Sequence, residues 1–156
     1  MKATTRLKII FFLSLMGIII SVYLTGIYYQ EKSSFCDIND TLSCSAVSNS
    51  LYAQVFTIPV SLYGLLGYGF FALVCLFLLE KPPWLKKKKI MQQLFSGESM
   101  FSLALISFIF SLYLTYHEIF TIKVLCILCL LSQALIIVIF FLAYQLIREQ
   151  KKINNP

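Results

Sequence analysis

Four of the five cysteines form two pairs with spacings that suit disulfide chemistry. Cys36 and Cys44 are separated by seven residues, and Cys126 and Cys129 form a Cys-x-x-Cys motif. Thiol pairs of this kind form disulfides and pass electron pairs by thiol–disulfide exchange, in which a thiolate is the attacking group. Two such pairs in one small chain suggest a relay that carries electrons from one pair to the other.

The Cys-x-x-Cys motif is predicted to lie in the first turn or two of a helix. On a helix, three-residue spacing places Cys126 and Cys129 about 5–6 Å apart, which is within disulfide range. The positive end of the helix dipole stabilises a thiolate there and lowers its pKa. The alternative is that both cysteines only pack as small hydrophobic residues, which is the role expected for Cys75 in mid-span.

The cysteine pair in the loop leaves three interpretations open. Cys36 and Cys44 could form a disulfide that only staples the loop, or one that shuttles electrons. All four paired cysteines could instead bind zinc as thiolates, although they would then have to gather beside lipid on an oxidising face. The zinc interpretation is the least favoured, so no metal site is predicted.

The elements that must position these cysteines are predicted to be membrane helices. The chain has 156 residues, of which 59% are hydrophobic and only 13% are charged, whereas charged residues make up about 25% of a typical soluble domain. Four stretches without any charge are long enough, at about 1.5 Å per residue, to cross roughly 30 Å of hydrocarbon. The predicted transmembrane helices are 9–29, 60–79, 99–118 and 124–146.

The distribution of basic residues predicts the orientation in the membrane. Eleven of the thirteen Lys and Arg residues lie before the first span, between the second and third, or after the fourth, and only Lys32 and Lys123 lie elsewhere. Because basic residues favour the cytoplasmic side, both termini are expected to be cytoplasmic and both cysteine pairs extracytoplasmic, in the inner or plasma membrane. The net charge of +6, including the Lys86–Lys89 run, therefore indicates a topology anchor and not nucleic-acid binding.

These features predict an all-α integral membrane protein that forms a single domain over 1–156. Short connections make consecutive helices antiparallel neighbours in a four-transmembrane-helix bundle. The loop between the first two spans is expected to cap the bundle on the extracytoplasmic side, with a short interfacial helix over Cys44–Phe56. Cys44 and Val47 share one apolar face of that helix, so Cys44 is expected to face the bundle.

Three polar residues near the cysteines could assist a redox reaction. His117 and Glu118 could form a proton relay, because a two-electron acceptor such as a quinone also takes up two protons. The simpler interpretation, an interfacial His and a solvated Glu, is preferred. Ser50 could donate a hydrogen bond to a bound ring, or it could be a solvated side chain.

The cysteine spacing and its context resemble the vitamin K epoxide reductase family, particularly its bacterial members. The resemblance covers about residues 15–140, nearly the whole chain. The cysteine spacing is specific when it is combined with Ser50 and the Pro59–Gly64 segment. The matching segments are Cys36-x7-Cys44 followed by Ser45, Val47 and Ser50, then Tyr52-Ala53, Ile58-Pro59-Val60-Ser61-Leu62-Tyr63-Gly64, Tyr113-Leu114, Glu118-Ile119-Phe120 and Cys126-x-x-Cys129.

The resemblance implies a role for each cysteine pair. The family's fold is a four-helix bundle around a quinone, capped by the loop between the first and second spans. By this resemblance Cys126 and Cys129 form the active-site pair, and Cys36 and Cys44 shuttle electrons from a thioredoxin-like partner.

The resemblance also implies a quinone pocket. Ser50 matches a serine or threonine of that pocket, and Cys129 and Gln133 are expected beside the ring. Gln133 stands where the animal enzymes have a tyrosine, and Val60 stands where they have an asparagine. An ordinary membrane quinone, ubiquinone or menaquinone, is therefore expected to be a better acceptor than vitamin K epoxide.

The leading hypothesis is a quinone-linked thiol oxidase that re-oxidises an extracytoplasmic thioredoxin-like (DsbA-type) protein. That partner is expected to be separate, because the chain ends at Pro156. Two rival hypotheses remain open at this point. One is a reductant exporter that takes electrons from the cytoplasm, for which only Cys75 is a candidate. The other is a non-enzymatic four-span membrane scaffold whose disulfides are structural.

Overall fold

The computed structural model describes residues 3–30, 36–37, 42–48, 50, 53–80 and 97–154. The Lys86–Lys89 run and Lys32, which enter the charge argument, lie outside these residues. One short antiparallel hairpin pairs β1 (Gln54–Val55) with β2 (Ile58–Pro59). The helices are α1 (Ala3–Gln30), α2 (Cys44–Ser48), α3 (Val60–Glu80), α4 (Gly97–His117), a π-helical segment (Glu118–Ile122) that continues α4, and α5 (Ile127–Asn154).

Among the described residues, four helical stretches are long and apolar enough to cross a membrane. They are Ala3–Gln30, Val60–Glu80, Gly97–Ile122 and Ile127–Glu149. A helix satisfies its backbone hydrogen bonds internally, so a charge-free apolar stretch of this length is stable in hydrocarbon as a helix. Large apolar side chains cover the outer surface of these helices. The all-α, four-transmembrane-helix fold class predicted from the sequence is confirmed.

The helices pack unevenly around the bundle. α1 packs closely along α3, and α4 packs along α5, whereas α3 and α4 touch at few positions. The close approach of α1 and α3 requires Gly17, because a Cβ atom there would lie 2.4 Å from the Tyr68 ring. The Tyr68 hydroxyl donates to the Ser132 carbonyl oxygen at 2.9 Å and thereby links α3 to α5. This packing leaves an open space between α3 and α4.

The two ends of the bundle differ in chemistry. Arg6 near the start of α1 forms an ion pair with Glu149 near the end of α5, at 2.9 Å. At the other end, the loop after α1 meets the start of α5, where the Cys-x-x-Cys motif lies. The start of α1 and the end of α5 therefore lie together, at the end of the bundle opposite the cysteines.

The predicted cap helix over Cys44–Phe56 is correct only in its first part. α2 ends at Ser48, and Gln54–Pro59 form the β1–β2 hairpin. Phe56 and Thr57 form its turn with φ angles of 51° and 66°, in the left-handed region, which is incompatible with a continuing α-helix. The apolar spacing was helical, but Val55, Thr57 and Ile58 are β-branched residues that favour strands.

Candidate active site: two cysteine pairs and a cavity

A backbone bridge aligns the loop with the segment before α5. Leu42 and Leu125 form a parallel β-bridge, and the Ser43 N–H donates to the Leu125 carbonyl oxygen at 3.1 Å. This pairing places Cys44 beside Cys126, although they are 82 positions apart in the chain. The Cys126 thiol donates to Cys44 Sγ at 2.9 Å. The two cysteine pairs therefore meet through these two sulfur atoms.

Three of the four paired cysteines are buried together. Cys36 and Cys44 form a disulfide, and their sulfur atoms lie within 4.8 Å of each other and of Cys126 Sγ. The exposed fractions of the three residues are 4%, 0% and 0%. Apolar side chains of α1 and α2 surround them: Ile20, Leu24, Ile27 and Val47. The prediction that Cys44 faces the bundle is confirmed.

The structure does not assemble the four thiolates of the zinc interpretation. Cys36, Cys44 and Cys126 come together, but two of these three sulfur atoms are bonded to each other. A disulfide sulfur is not the thiolate that zinc requires. Cys75 lies apart from this group, fully buried in the apolar cluster between the helices, which agrees with the packing role expected for it.

The carboxylate of Asp37 holds the start of α2 in place. Its Oδ1 accepts hydrogen bonds from the Ser43 hydroxyl at 2.7 Å and from the Ser45 N–H at 3.1 Å, and its Oδ2 accepts one from the Ser45 hydroxyl at 2.8 Å. The carboxylate thus supplies a partner for an N–H group of the first helical turn. Because Cys44 lies between the two serines, this network fixes its position beside Cys126. No pattern in the sequence indicates this role of Asp37.

Cys126 occupies the position just before α5, not the first turn of the helix as predicted. α5 begins at Ile127, and the Cys126 carbonyl oxygen accepts the N–H of Leu130 at 3.0 Å. The Cys129 N–H donates to Cys126 Sγ at 3.3 Å, so Cys126 acts as the N-cap residue through its sulfur. A hydrogen bond from the Cys129 side chain lowers the pKa of the Cys126 thiol below its ordinary value. Burial opposes this effect without cancelling it.

This geometry predicts the pH dependence of Cys126 reactivity in the reduced protein. Only the thiolate reacts with an alkylating reagent, so a lowered pKa makes Cys126 reactive at lower pH than an ordinary thiol. Cys129→Ala removes the donating side chain and should move the midpoint of Cys126 alkylation upward by about one pH unit. The rate is measured by mass spectrometry across pH, with Cys75→Ala as the control. An unmoved midpoint in Cys129→Ala would contradict the assignment.

A large cavity lies next to the Cys-x-x-Cys motif. Its volume is about 1090 Å³, and it occupies the space between α3 and α4 beneath the loop that follows α2. The three residues predicted to bind a quinone, Ser50, Cys129 and Gln133, all line it. Of the four paired cysteines, only Cys129 does so. The two cysteines of the motif therefore face different ways, Cys126 towards the loop disulfide and Cys129 towards the cavity.

The polar groups at the cavity wall are held by local hydrogen bonds. Gln133 Oε1 accepts a hydrogen bond from the Thr115 hydroxyl, which leaves the amide nitrogen as the donor that Gln133 can offer. The Ser50 hydroxyl donates to the Val47 carbonyl oxygen at 2.8 Å, so in this rotamer its oxygen is available as an acceptor. Thr115 was not identified from the sequence.

Glu118 is not the solvated side chain that the sequence analysis preferred. Only 5% of Glu118 is exposed, and it lines the cavity together with Cys129. His117 is half-buried, and its Nδ1 lies 3.2 Å from the Thr121 hydroxyl oxygen. Glu118 is buried because the π-helical segment and the start of α5 fold back on each other, which the spacing of charges along the chain does not reveal.

Taken together, the fold and the site define a class of protein: a membrane oxidoreductase that acts on thiols and disulfides. Its components are a four-helix bundle, a buried disulfide, an adjoining Cys-x-x-Cys motif and an apolar cavity at the second cysteine. The model of the vitamin K epoxide reductase family matches residues 8–144, and the chain belongs to that family. This confirms the resemblance and associates the protein with quinones. A comparison with curated proteins gives no match.

Proposed function

We propose that this protein is a quinone-dependent thiol oxidase that re-oxidises a separate extracytoplasmic thioredoxin-like (DsbA-type) protein. Electrons pass from the partner to Cys36 and Cys44, then to Cys126 and Cys129, and finally to a membrane quinone. The observation that carries the proposal is the contact of 2.9 Å between Cys44 Sγ and Cys126 Sγ, with Cys129 on the cavity side. This order of sulfur atoms forms a continuous path from the loop to the cavity.

The exchange steps follow from the positions of the sulfur atoms. A partner thiolate attacks Cys36, the residue of the loop disulfide that keeps some exposed surface, and Cys44 leaves as a thiolate. Cys44 attacks Cys126 of an oxidised Cys126–Cys129 pair, and Cys129 leaves on the cavity side. The partner's second thiol attacks the mixed disulfide between the partner and Cys36, which oxidises the partner and releases Cys36. Cys36 then attacks Cys44 and releases Cys126 as a thiolate.

The redox state of the cysteines in this structure fits the state that the last exchange step leaves. The Cys36–Cys44 disulfide is closed, and Cys126 and Cys129 are free thiols. The pair next to the cavity therefore holds the two electrons, and the loop is ready for another partner. The backbone bridge between Leu42 and Leu125 does not depend on the disulfide and keeps Cys44 beside Cys126, so each internal exchange needs little movement.

The cavity suits ubiquinone or menaquinone by the chemistry of its lining. Apolar side chains, among them Phe70, Phe71 and Ile106, form most of its wall, and a few polar groups converge near Cys129. The Gln133 amide nitrogen would donate to a ring oxygen, and Ser50 would hold the opposite side of the ring. When bound, the quinone supplies an acceptor for two electrons and two protons.

The direction of flow follows from reduction potentials. A DsbA-type protein has a potential near roughly −120 mV, so only an acceptor of higher potential, such as a quinone, can re-oxidise it. The reverse flow proposed for a reductant exporter would require a cysteine accessible from the cytoplasmic side. Cys75, the candidate for that role, is fully buried in a cluster separate from the paired cysteines.

The direct test uses purified protein in detergent or liposomes. A reduced thioredoxin-like protein and a soluble quinone analogue are added, and quinone absorbance and partner thiols are followed together. We expect one quinone to be reduced for each partner dithiol that is oxidised. Structural disulfides would give no turnover, which would favour the scaffold hypothesis.

A reporter fusion tests the proposed orientation. Because eleven of thirteen basic residues lie on the proposed cytoplasmic side, a reporter that is active only in the cytoplasm should work when fused after Pro156. The same reporter inserted between Glu31 and Asp40 should be silent. The opposite pattern would place the cysteines in the reducing compartment and overturn the proposed direction.

A further inference from the structure

Glu118 is a buried carboxyl group that the electron relay does not use. It is the first residue of the π-helical segment, and only 5% of it is exposed. Within the part of the chain that the structure describes, the ion pair found is Arg6–Glu149, so no cation compensates Glu118. Burying an uncompensated carboxyl group at the edge of a membrane costs stability, which makes a functional reason for it the default expectation.

Both cysteines of the motif contact this carboxyl group. Glu118 interacts with the side chain of Cys129 and with the backbone of Cys126. Its other oxygen, Oε2, is buried and has no hydrogen-bond partner among the described residues. Glu118 and Cys129 both line the cavity. One side of the carboxyl group is thus occupied by the motif, and the other can accept or donate a proton.

We propose that Glu118 is the catalytic base that accepts the thiol proton of Cys129 and delivers it to the electron acceptor in the cavity. This proposal rests on the proposed function and adds the proton path to it. When the Cys126–Cys129 disulfide forms, two S–H bonds break, one S–S bond forms, and an electron pair and two protons leave the pair.

Glu118 carries these protons one at a time. Its carboxylate takes the Cys129 proton first, gives it up on the cavity side, and returns to the ionised form. The Cys129 sulfur then takes the Cys126 proton through the hydrogen bond between the two side chains and passes it to Glu118 by the same route. Both electrons and both protons reach the acceptor, and the carboxylate is unchanged at the end.

The neighbouring titratable groups do not provide this path. From α5 and the residue before it, the side chain of Cys129 and the backbone of Cys126 contact Glu118. On its own element the nearest is His117, whose ring is directed to the Thr121 hydroxyl. Among the described residues the other carboxylate at the cavity wall is Glu98, which lies at the far end of α4, about 30 Å away at 1.5 Å per residue.

The Glu118→Gln variant tests the proposal when two half-reactions are measured separately. One is reduction of quinone by the pre-reduced protein, and the other is reduction of the Cys126–Cys129 disulfide by a dithiol. We expect the single-turnover rate of quinone reduction by the pre-reduced protein to fall by about 100-fold, while transfer from a dithiol to the Cys126–Cys129 disulfide keeps its rate. In the wild-type protein the rate of quinone reduction should decline at acid pH, because a protonated Glu118 cannot accept the Cys129 proton. The rate in Glu118→Gln should lack that decline. Glu80→Gln, at the exposed end of α3, is the matched control.

A second readout requires no quinone. In a Cys126→Ser background, Glu118→Gln removes a negative charge beside Cys129, so alkylation of Cys129 should begin at lower pH. If Glu118→Gln fails to accumulate in membranes, Glu118→Asp keeps the carboxyl group one methylene shorter and should slow only the quinone half-reaction.

Two results would overturn the proposal. One is an unchanged rate of quinone reduction in Glu118→Gln. The other is an equal loss in both half-reactions with unchanged Cys129 alkylation, which would make Glu118 a structural residue. A wild-type protein that reduces no quinone would instead refute the proposed function, and the alkylation comparison would still report whether Glu118 and Cys129 interact.

Discussion

Replacing Cys129 with Ser is expected to abolish quinone reduction by a dithiol, with a loss of roughly three orders of magnitude or more. Cys129 is the paired cysteine that lines the cavity, so without it no thiol can deliver electrons there. Cys126→Ser should have the same effect, because Cys129 then has no second thiol with which to form the disulfide that releases two electrons. The measurement is quinone absorbance in the presence of a small dithiol.

The matched control for this prediction is Cys75→Ser. Cys75 is also fully buried, but it lies in the apolar cluster away from the other cysteines, so most of the activity should remain. If Cys75→Ser were as inactive as the variants of the motif, the assignment of roles to the five cysteines would be wrong.

The contact between Cys44 Sγ and Cys126 Sγ predicts which intermediate can be trapped. With both Cys36 and Cys129 replaced by Ser, neither neighbouring thiol can resolve a bond between Cys44 and Cys126. Since their sulfur atoms already lie 2.9 Å apart, oxidation should give a stable Cys44–Cys126 disulfide, seen as a cross-linked peptide by mass spectrometry without reductant. A failure to form it would contradict the proposed order of transfer.

Replacing both Cys36 and Cys44 with Ser should stop oxidation of a thioredoxin-like protein. The Cys126 side chain is fully buried beneath the loop, so a folded partner cannot reach it directly. A small membrane-permeant dithiol should reach the Cys126–Cys129 pair and still support some quinone reduction. The expected result is therefore loss of activity with the protein substrate and partial activity with the small one.

The contrasting interpretation is that the Cys36–Cys44 disulfide only staples the loop. A disulfide that closes so short a loop would contribute roughly 2–3 kcal/mol of stability by chain entropy. In that case the double variant would be less stable but would oxidise the protein partner at the wild-type rate. Thermal unfolding, measured alongside the two activities, separates a loss of stability from a loss of electron transfer.

The sequence by itself determined the class of fold. Each membrane helix depends on a local property, a long apolar stretch without charge, and this property does not require knowledge of the other helices. The predicted spans 60–79 and 99–118 therefore agree closely with Val60–Glu80 and Gly97–Ile122. The family could likewise be inferred from cysteine spacing, because spacing along the chain is a property of the sequence alone.

Local patterns failed where two conformations fit the same residues. The spacing of Cys44 and Val47 is helical, and α2 does form there, but Gln54–Pro59 form a hairpin instead. A short apolar segment satisfies either conformation, and its contacts with the rest of the fold decide between them.

Only the tertiary structure decided how the site is assembled. The contact between Cys44 and Cys126 depends on the bridge between Leu42 and Leu125, which joins segments far apart in the chain. The burial of Glu118 depends in the same way on the start of α5 packing over it. In sequence a glutamate at the end of a span is expected to be solvated, because an isolated helix end exposes it to water. Long-range packing removes that water, and it is this packing that places a carboxyl group beside the two thiols.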